Sequence, residues 1–353
     1  MADNKATSKA QEFKALSKKD QQRRIGDLIL NNAMYIIIAI AIVFITVKQR
    51  KFLSLSSIVN IISLTAAKLP IALGIGGCIV LTGTDISAGR VVGLAACISA
   101  SLLTTVFKVF PNMTSAMPIP VVFLIVVGVG AAVGFVNGFS VAKFKLHPFI
   151  VTLSTQLITY GIILMYLMNG VNNGQTLSGL TDSYRSLITG TLFTIGGVAV
   201  PRYVLYAVIL TAIMWVIWNK TTFGKNMFAV GSNEEAANVS GVNVARTIIL
   251  VFMLAGVMYG ITGFFDGARI ASANANTGLN YECDAIAACV IGGVSFVGGI
   301  GRISGIVVGV LLLQIIFAGL NFLSVDPNML YIIKGLIILV ACAIDMRKYL
   351  VRK

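Results

Sequence analysis

The sequence predicts an all-α membrane protein, a polytopic bundle of about ten transmembrane helices. Of its 353 residues, 57% are apolar and only 11% are charged, whereas an ordinary soluble domain has about 25% charged residues. So few polar side chains cannot cover the surface of a soluble protein of this size, and the same composition excludes disorder. The apolar runs approach the length of about 20 residues that a transmembrane helix needs, and they lack the alternation typical of barrel strands.

Ten apolar runs divide the chain into predicted spans. They cover residues 28–47, 58–81, 86–107, 120–141, 149–168, 203–218, 247–265, 285–297, 304–323 and 329–344. The eighth run is too short to cross a bilayer as a straight helix, so we expect a broken or re-entrant helix there. The division predicts a polar cytoplasmic leader over 1–27, a transmembrane domain over 28–345 and a basic cytoplasmic tail over 346–353. The leader is too long for the start of a signal peptide, so we expect the first span to be retained.

The basic residues indicate the orientation of the bundle. The net charge is +14, with seven Lys and Arg residues before the first span and four after the last. Because basic residues collect on the cytoplasmic side and ten crossings return the chain to its starting side, we expect both termini in the cytoplasm. Lys48, Arg50 and Lys51 break this pattern locally. No basic patch is interleaved with aromatic residues, so we expect no nucleic-acid partner.

Two stretches of the chain resemble each other. Residues 83–89 open the third predicted span and residues 282–288 open the eighth, and each places an acid before small residues. Equivalent positions five helices apart indicate a possible inverted repeat, a plan found in many transporters. Asp85 and Asp284 stand where these helices begin, so we expect them to cap the helices, with contact to a solute or ion as the alternative. Asp266 is expected at the membrane surface.

Glycines recur at four-residue spacing in three of the predicted spans. The pairs and triplet are 134/138, 256/260 and 301/305/309. Small residues at this spacing let transmembrane helices approach closely. Packing within the chain is one interpretation, and a dimer or moving interface is the other.

Polar side chains within or at the start of the spans are candidates to line a translocation path. The candidate path residues are Asn137, Thr152, Ser154, Gln156, Asp85 and Asp284. Amides and hydroxyls of this kind also join neighbouring transmembrane helices by hydrogen bonds. Because the candidates are scattered rather than clustered, we expect a partner protein to set most of the substrate preference.

The chain lacks the sequence features of a metal centre or a nucleotide-hydrolysing site. Its one histidine, His147, excludes a multi-histidine zinc site, and the five cysteines form no C-x-x-C pair. Gly224-Lys225 is followed by Asn226, so no P-loop is present. We therefore expect no metal, no bound cofactor and no ATPase activity in this chain.

The polar segment 219–246 is predicted to be a cytoplasmic loop that contains a short helix. Ser232 or Asn233 can cap this helix, with two glutamates in its first turn, and Gly241 can end it. A short capped helix between two spans is typical of a docking element for a soluble subunit. An ordinary structured loop is the alternative.

Several motifs resemble one known family. Glu235-Ala236-Ala237, followed by Gly241, resembles the coupling loop of ABC importer permeases. Other stretches resemble the permeases of bacterial monosaccharide ABC importers, the ribose and galactoside group of the branched-chain amino acid and sugar permeases: 85–89, 134–138, 148–153, 284–288 and 334–335. Within this group, 83–85 and 292–296 favour the galactose/methyl-galactoside members. The resemblance covers 36–353; Glu234 and Cys283 replace the usual Pro and Leu.

The resemblance implies a homodimeric permease of the bacterial inner membrane that forms the translocation path in contact with lipid. It implies that an ATP-binding subunit docks through Glu235, Ala236, Ala237 and Gly241 and consumes the ATP. It also implies that a periplasmic or surface-tethered sugar-binding protein docks on the other side. The alternative from the residues alone is a secondary transporter of a small polar solute driven by an ion gradient. A passive channel or an assembly scaffold is a third possibility.

Overall fold

The computed structural model describes residues 42–350, apart from the side chains at 50, 327, 341 and 344–350. The predicted leader and most of the first predicted span therefore lie outside the described residues, as does the end of the basic tail.

The described chain is almost entirely helical. After a helical stretch over 42–48 and a 3-10 turn over Arg50–Leu53, the elements in chain order are α1 (Leu55–Val80), α2 (Ala88–Leu102), α3 (Ile119–Phe144), α4 (Pro148–Leu167), α5 (Asp182–Thr189), β1 (Thr191–Ile195), β2 (Val198–Pro201), α6 (Arg202–Lys220), α7 (Thr222–Ser232), α8 (Glu234–Val239), α9 (Val244–Ile270), α10 (Tyr281–Ile291), α11 (Ile303–Phe322) and α12 (Pro327–Leu350). The two strands form one antiparallel hairpin.

Six of these helices are long and apolar enough to cross a membrane: α1, α3, α4, α6, α9 and α11. The predicted fold class, a polytopic helical membrane protein, is therefore confirmed. The helix α2 has 15 residues and α10 has 11, so at 1.5 Å per residue both are shorter than the hydrocarbon core of about 30 Å. The number of ten spans stays a prediction.

The bundle has two distinct ends, and α6 runs from one to the other. The β1–β2 hairpin leads into the first residue of α6, and α7 and α8 follow its last. We call these the hairpin end and the α8 end. The hydroxyl of Tyr184 in α5 donates a hydrogen bond to the carbonyl of Phe264 in α9, so α5 lies at the hairpin end. The carbonyl of Val80, near the end of α1, packs against Gly231 of α7 at the α8 end.

Glycines bring α3 and α9 into backbone contact. Gly130 packs on the carbonyl of Gly256, and Gly134 packs on the carbonyl of Phe252, so that an added Cβ at either glycine would overlap the opposite backbone. On α11, Gly309 packs in the same way on the carbonyl of Ala288. In each of the three predicted motifs, a glycine thus packs against another helix of the same chain. This favours intrachain packing over an interface between copies.

The chain between α9 and α10 returns into the bundle. Its carbonyls follow α2 towards the α8 end: Asn274 accepts a bond from Cys97, Ala275 accepts one from Arg90, and the carbonyl of Gly278 lies against Gly89. We call residues 271–280 the descending segment, and the helix α10 begins directly after it. The expected re-entrant helix is therefore present, at Tyr281–Ile291 rather than 285–297.

The close approach of α3 and α9 generates a prediction with a matched control. Gly130→Ala places a methyl group against the carbonyl of Gly256, whereas Gly128, one half-turn away, has no neighbouring atom within 4 Å of an added Cβ. We expect Gly130→Ala to lose about 1–3 kcal/mol of stability through overpacking. Gly128→Ala should be neutral or slightly stabilising because alanine favours the helix. Thermal denaturation of the detergent-purified chain measures both, and equal melting temperatures would contradict the packing described here.

Candidate functional site

The short helix α8 is built as the sequence predicts. The side-chain oxygen of Asn233 accepts a hydrogen bond from the backbone amide of Ala236, 2.8 Å away, and so caps the helix. Two glutamates occupy the first turn, where the helix dipole favours negative charge. The helix ends at Val239, and Gly241 then adopts φ +84°, a conformation that favours glycine.

The exposed surface of α8 differs in one respect from the expected docking surface. Glu235 and Ala236 are exposed, whereas Ala237 is only 5% exposed and packs against the rest of the chain. Val239, which the sequence analysis missed, is 90% exposed and is the most exposed large apolar side chain in the described part of the molecule. The helix therefore offers a partner Glu235, Ala236 and Val239, while Ala237 fixes it to the bundle.

A groove lies beside α8 at this end of the bundle. It has a volume of about 610 Å³ and runs between the end of α3, α8 and the start of α9. Lys145, in the turn after α3, forms an ion pair with Glu234 across this groove. Both side chains are at least half exposed, so the pair contributes little stability but links the α3–α4 turn to α8.

Asp85 belongs to a buried polar network rather than to a helix cap. It is fully buried, and its Oδ1 accepts bonds from the backbone amide of Ser87 (3.0 Å) and from the Ser87 hydroxyl (2.6 Å). Because α2 begins at Ala88 with Ser87 as its N-cap, the expectation that Asp85 caps this helix is wrong. Burial raises the pKa of the Asp85 carboxyl, and the bonds from Ser87 oppose that rise. Asp85 Oδ2 has no hydrogen-bond partner among the described residues.

Two of the candidate path residues extend this network between helices. The amide of Asn137 in α3 donates to the Ser87 hydroxyl (3.0 Å) and accepts from the Thr155 hydroxyl of α4 (2.6 Å). The hydroxyl of Thr152 donates to the carbonyl of Thr84 and accepts from the amide of Ile86. Both side chains are fully buried. Asn137 and Thr152 therefore join α3, α4 and the start of α2, which favours the packing interpretation.

Ser154 and Gln156 lie outside this network. Ser154 is exposed, and its hydroxyl donates only to the carbonyl of Ile150 in its own helix. Gln156 is half-buried on α4, one turn before Tyr160, and so shares a helix face with that ring.

Asp284 is an ion-pair partner inside the bundle. It is the fourth residue of α10, whose N-cap is Asn280, so the expectation that it caps the helix is wrong. Its Oδ2 accepts a bond from Nζ of Lys334 in α12 at 3.0 Å. Asp266 is likewise fully buried and bonded to Arg269 at 2.8 Å, rather than exposed at a membrane surface. A charge at the centre of a bilayer costs about 2.5–3.5 kcal/mol on insertion scales, which explains why these carboxylates have partners.

The sequence analysis missed the clustering of charges around α10. Lys68, near the middle of α1, places its ammonium over the ring of Tyr281. Arg90 lies over the ring of Tyr160, 4.2 Å from the ring centroid, and the Glu282 carboxylate packs against Gly89. The expectation of scattered polar groups is therefore wrong at this point of the bundle. No spacing pattern in the sequence predicts this cluster, because its residues lie on α1, α2, α4 and α10, which are far apart in sequence.

Comparison with known proteins identifies the family. The family model of the permease component of branched-chain amino acid transport systems matches residues 57–342. The chain belongs to this permease family. The resemblance derived from the motifs is thereby confirmed.

Individual relatives cover almost the whole permease. The galactose/methyl galactoside import permease protein MglC of Haemophilus influenzae is 43% identical over 336 residues, which are 94% of this chain and 99% of the relative. The protein of the same name from Salmonella typhimurium is 44% identical over 91% of this chain and 95% of its own. The ribose import permease protein RbsC of Haemophilus influenzae is 33% identical, with 91% and 95% coverage. No solved structure matches the chain with statistical significance.

Asn137 and Ser154 give contrasting expectations, because one joins helices and the other does not. Asn137→Ala removes one hydrogen-bond partner from each of the buried Ser87 and Thr155 hydroxyls, so we expect it to lower the stability by about 1–3 kcal/mol. Ser154→Ala breaks only a bond within its own helix and should leave the stability unchanged. Melting temperatures of the purified variants decide between the two roles. A stable Asn137→Ala chain that no longer transports would show instead that Asn137 lines the path.

Proposed function

We propose that this chain is the permease subunit of an ATP-binding-cassette importer that carries galactose or methyl galactosides across the bacterial inner membrane. The observation that carries the proposal is α8, a capped helix that offers Glu235, Ala236 and Val239 at one end of a transmembrane bundle. The similarity over 94% of the chain to a galactose/methyl galactoside import permease supports the choice of sugar.

The ATP-binding subunit docks on α8 in this proposal. Val239 enters an apolar pocket of the partner, and the small side chain of Ala236 allows close approach. Glu235 meets a basic residue of the partner. Ala237, packed against the bundle, transmits the movement of α8 to the spans, and Gly241 sets the turn into α9. The permease itself binds no ATP and needs no cofactor, since the partner subunit hydrolyses the nucleotide.

Two copies of the chain form the translocation path in this proposal. Gln156 and Asp284 are the candidates to line the path because they are partly exposed. Asp85, Asn137 and Thr152 are fully buried and support the helices that carry the path. Ser154 is exposed but faces away from the network, where a second copy or lipid covers it.

The orientation follows from the docking of the ATP-binding subunit. The α8 end faces the cytoplasm, together with the leader over 1–27, the loop over 219–246 and the tail over 346–353. The transmembrane domain over 28–345 crosses ten times, with both termini inside and two inverted halves of five helices. The sugar-binding protein, periplasmic or surface-tethered, delivers its ligand at the hairpin end.

Reconstitution tests whether transport depends on ATP. We expect galactose uptake into vesicles only when the permease is joined by its ATP-binding subunit, the sugar-binding protein and ATP. The permease alone, under a proton or sodium gradient, should give no uptake because α8 needs a partner that moves it. Gradient-driven uptake by the permease alone would refute the proposal and establish the secondary transporter.

Variants of α8 test the docking surface. We expect Val239→Asp and Ala236→Trp to abolish ATP-dependent uptake and to reduce co-purification with the ATP-binding subunit at least tenfold, because a lost apolar anchor costs more than about 1.4 kcal/mol. Both side chains are exposed, so expression and melting temperature should stay at the parent values. Co-purification from cells also tests the orientation, because the partner is cytoplasmic.

A substitution at the hairpin end provides the control. Leu192→Asp changes an exposed apolar residue in β1 and should leave binding of the ATP-binding subunit intact. If Val239→Asp and Ala236→Trp still bind the subunit and transport at the parent rate, α8 is only a connector.

A further inference from the structure

The re-entrant helix α10 begins level with the middle of the spanning helices. Its first residue, Tyr281, lies under the ammonium of Lys68, which is near the middle of the 26-residue α1. Arg90, next to the glycine that Glu282 contacts, lies over Tyr160 near the middle of α4. The first turn of α10 therefore lies deep in the membrane, and it brings two carboxylates there.

The first turn of α10 is open at Cys283, the residue between the two carboxylates, although Glu282 itself is only 4% exposed. Asp284 and its partner Lys334 are 12% and 24% exposed, and Arg90 and Tyr160 are partly exposed. Ionised side chains at this depth do not face lipid; they face a water-filled cavity or another protein surface. The open side of α10 therefore faces water or another protein surface rather than lipid.

Glu282 has spare hydrogen-bonding capacity. It is 4% exposed and forms no ion pair or hydrogen bond with another residue in the described part of the chain. Arg90 acts on it electrostatically but uses its own guanidinium to bond the carbonyl of Ala275. A carboxylate in this state accepts hydrogen bonds from hydroxyl groups strongly.

We propose that Glu282, Arg90, Tyr160 and Asp284 form a binding subsite for a neutral polyhydroxylated solute on the translocation path. The carboxylates accept bonds from sugar hydroxyls, the guanidinium donates to ring or hydroxyl oxygens, and Tyr160 gives the apolar face of the sugar a flat surface. Together with Lys334, the ion-pair partner of Asp284, the two carboxylates and two basic groups balance in charge, which suits a solute without net charge. The inference deepens the proposed function by locating where the sugar passes inside the membrane.

The glycine beside Glu282 shows how closely this subsite is built. A Cβ on Gly89 would overlap the Glu282 carboxylate and the carbonyl of Gly278. The descending segment and α2 therefore hold the carboxylate in one position. A fixed acceptor loses little freedom when it binds a hydroxyl group.

Cys283 is a natural probe of this subsite. Of the five cysteines, Cys78, Cys97 and Cys289 are buried and Cys342 is half-buried. In a Cys342→Ser chain, assembled with its ATP-binding subunit, we expect a charged, water-soluble thiosulfonate reagent to label Cys283. Galactose should slow the labelling, and a Cys283→Ser chain should not be labelled. Labelling by a membrane-permeant maleimide but not by the charged reagent would place Cys283 against lipid and overturn the proposal.

Transport by isosteric variants tests the role of the carboxylates. We expect Glu282→Gln and Asp284→Asn to lower galactose uptake about tenfold. Stimulation of ATP hydrolysis by the sugar-binding protein should remain, so fewer sugars cross per ATP consumed. The control Asp326→Asn, at an exposed position before α12, should transport at the parent rate. A merely structural role would lower uptake and ATP hydrolysis together, along with the melting temperature.

The outcomes separate this inference from the proposed function. If the parent imports galactose and both carboxylate variants transport normally, the subsite is absent although the function stands. If the parent imports no galactose with ATP, the proposed function fails, and labelling of Cys283 by the charged reagent still decides whether the open side of α10 faces water.

Discussion

The lipid of a membrane offers no water to satisfy polar groups, so irregular backbone within a membrane must be enclosed by protein or line an aqueous path. The segment between α9 and α10 has no regular helix, yet its carbonyls find donors on α2, as the bond from Arg90 to Ala275 shows. The carboxylates of Asp266 and Asp284 have basic partners for the same reason. Polar side chains of α1, α2 and α12 thus enclose the start of the re-entrant helix, namely Lys68, Arg90 and Lys334.

Glycine residues allow the neighbouring helices to enclose α10 and the segment before it. Helices in lipid gain no hydrophobic energy from pairing, so close packing must stabilise them. Gly93 lies against the carbonyl of Thr277, as Gly89 lies against that of Gly278, and the descending segment can follow α2 only where side chains are missing. Gly256 gives α9 the same close approach to α3. Glycine positions thus set the distances between elements, while the charged side chains determine which surfaces remain open.

The sequence predicts those features that depend on neighbouring residues. The cap of α8 by Asn233 and the positive φ of Gly241 are local, as are the glycine spacings and the long apolar runs. Features that depend on distant residues were missed. Asp284 pairs with Lys334, 50 positions later, and no spacing rule links them. Ala237 faces the bundle because tertiary packing determines which side of a six-residue helix is buried.

The two candidate sites are connected by one continuous element. The helix α9 starts five residues after α8 and runs 27 residues to Ile270, where the segment that descends to α10 begins. Val242, just before α9, bonds back to the carbonyl of Ala237, so the link to α8 is short. At the other end, Arg269 and Asp266 lie beside the charges around Tyr281. A displacement of α8 by a partner would therefore reach the start of α10 through α9, packed against α3 along most of its length.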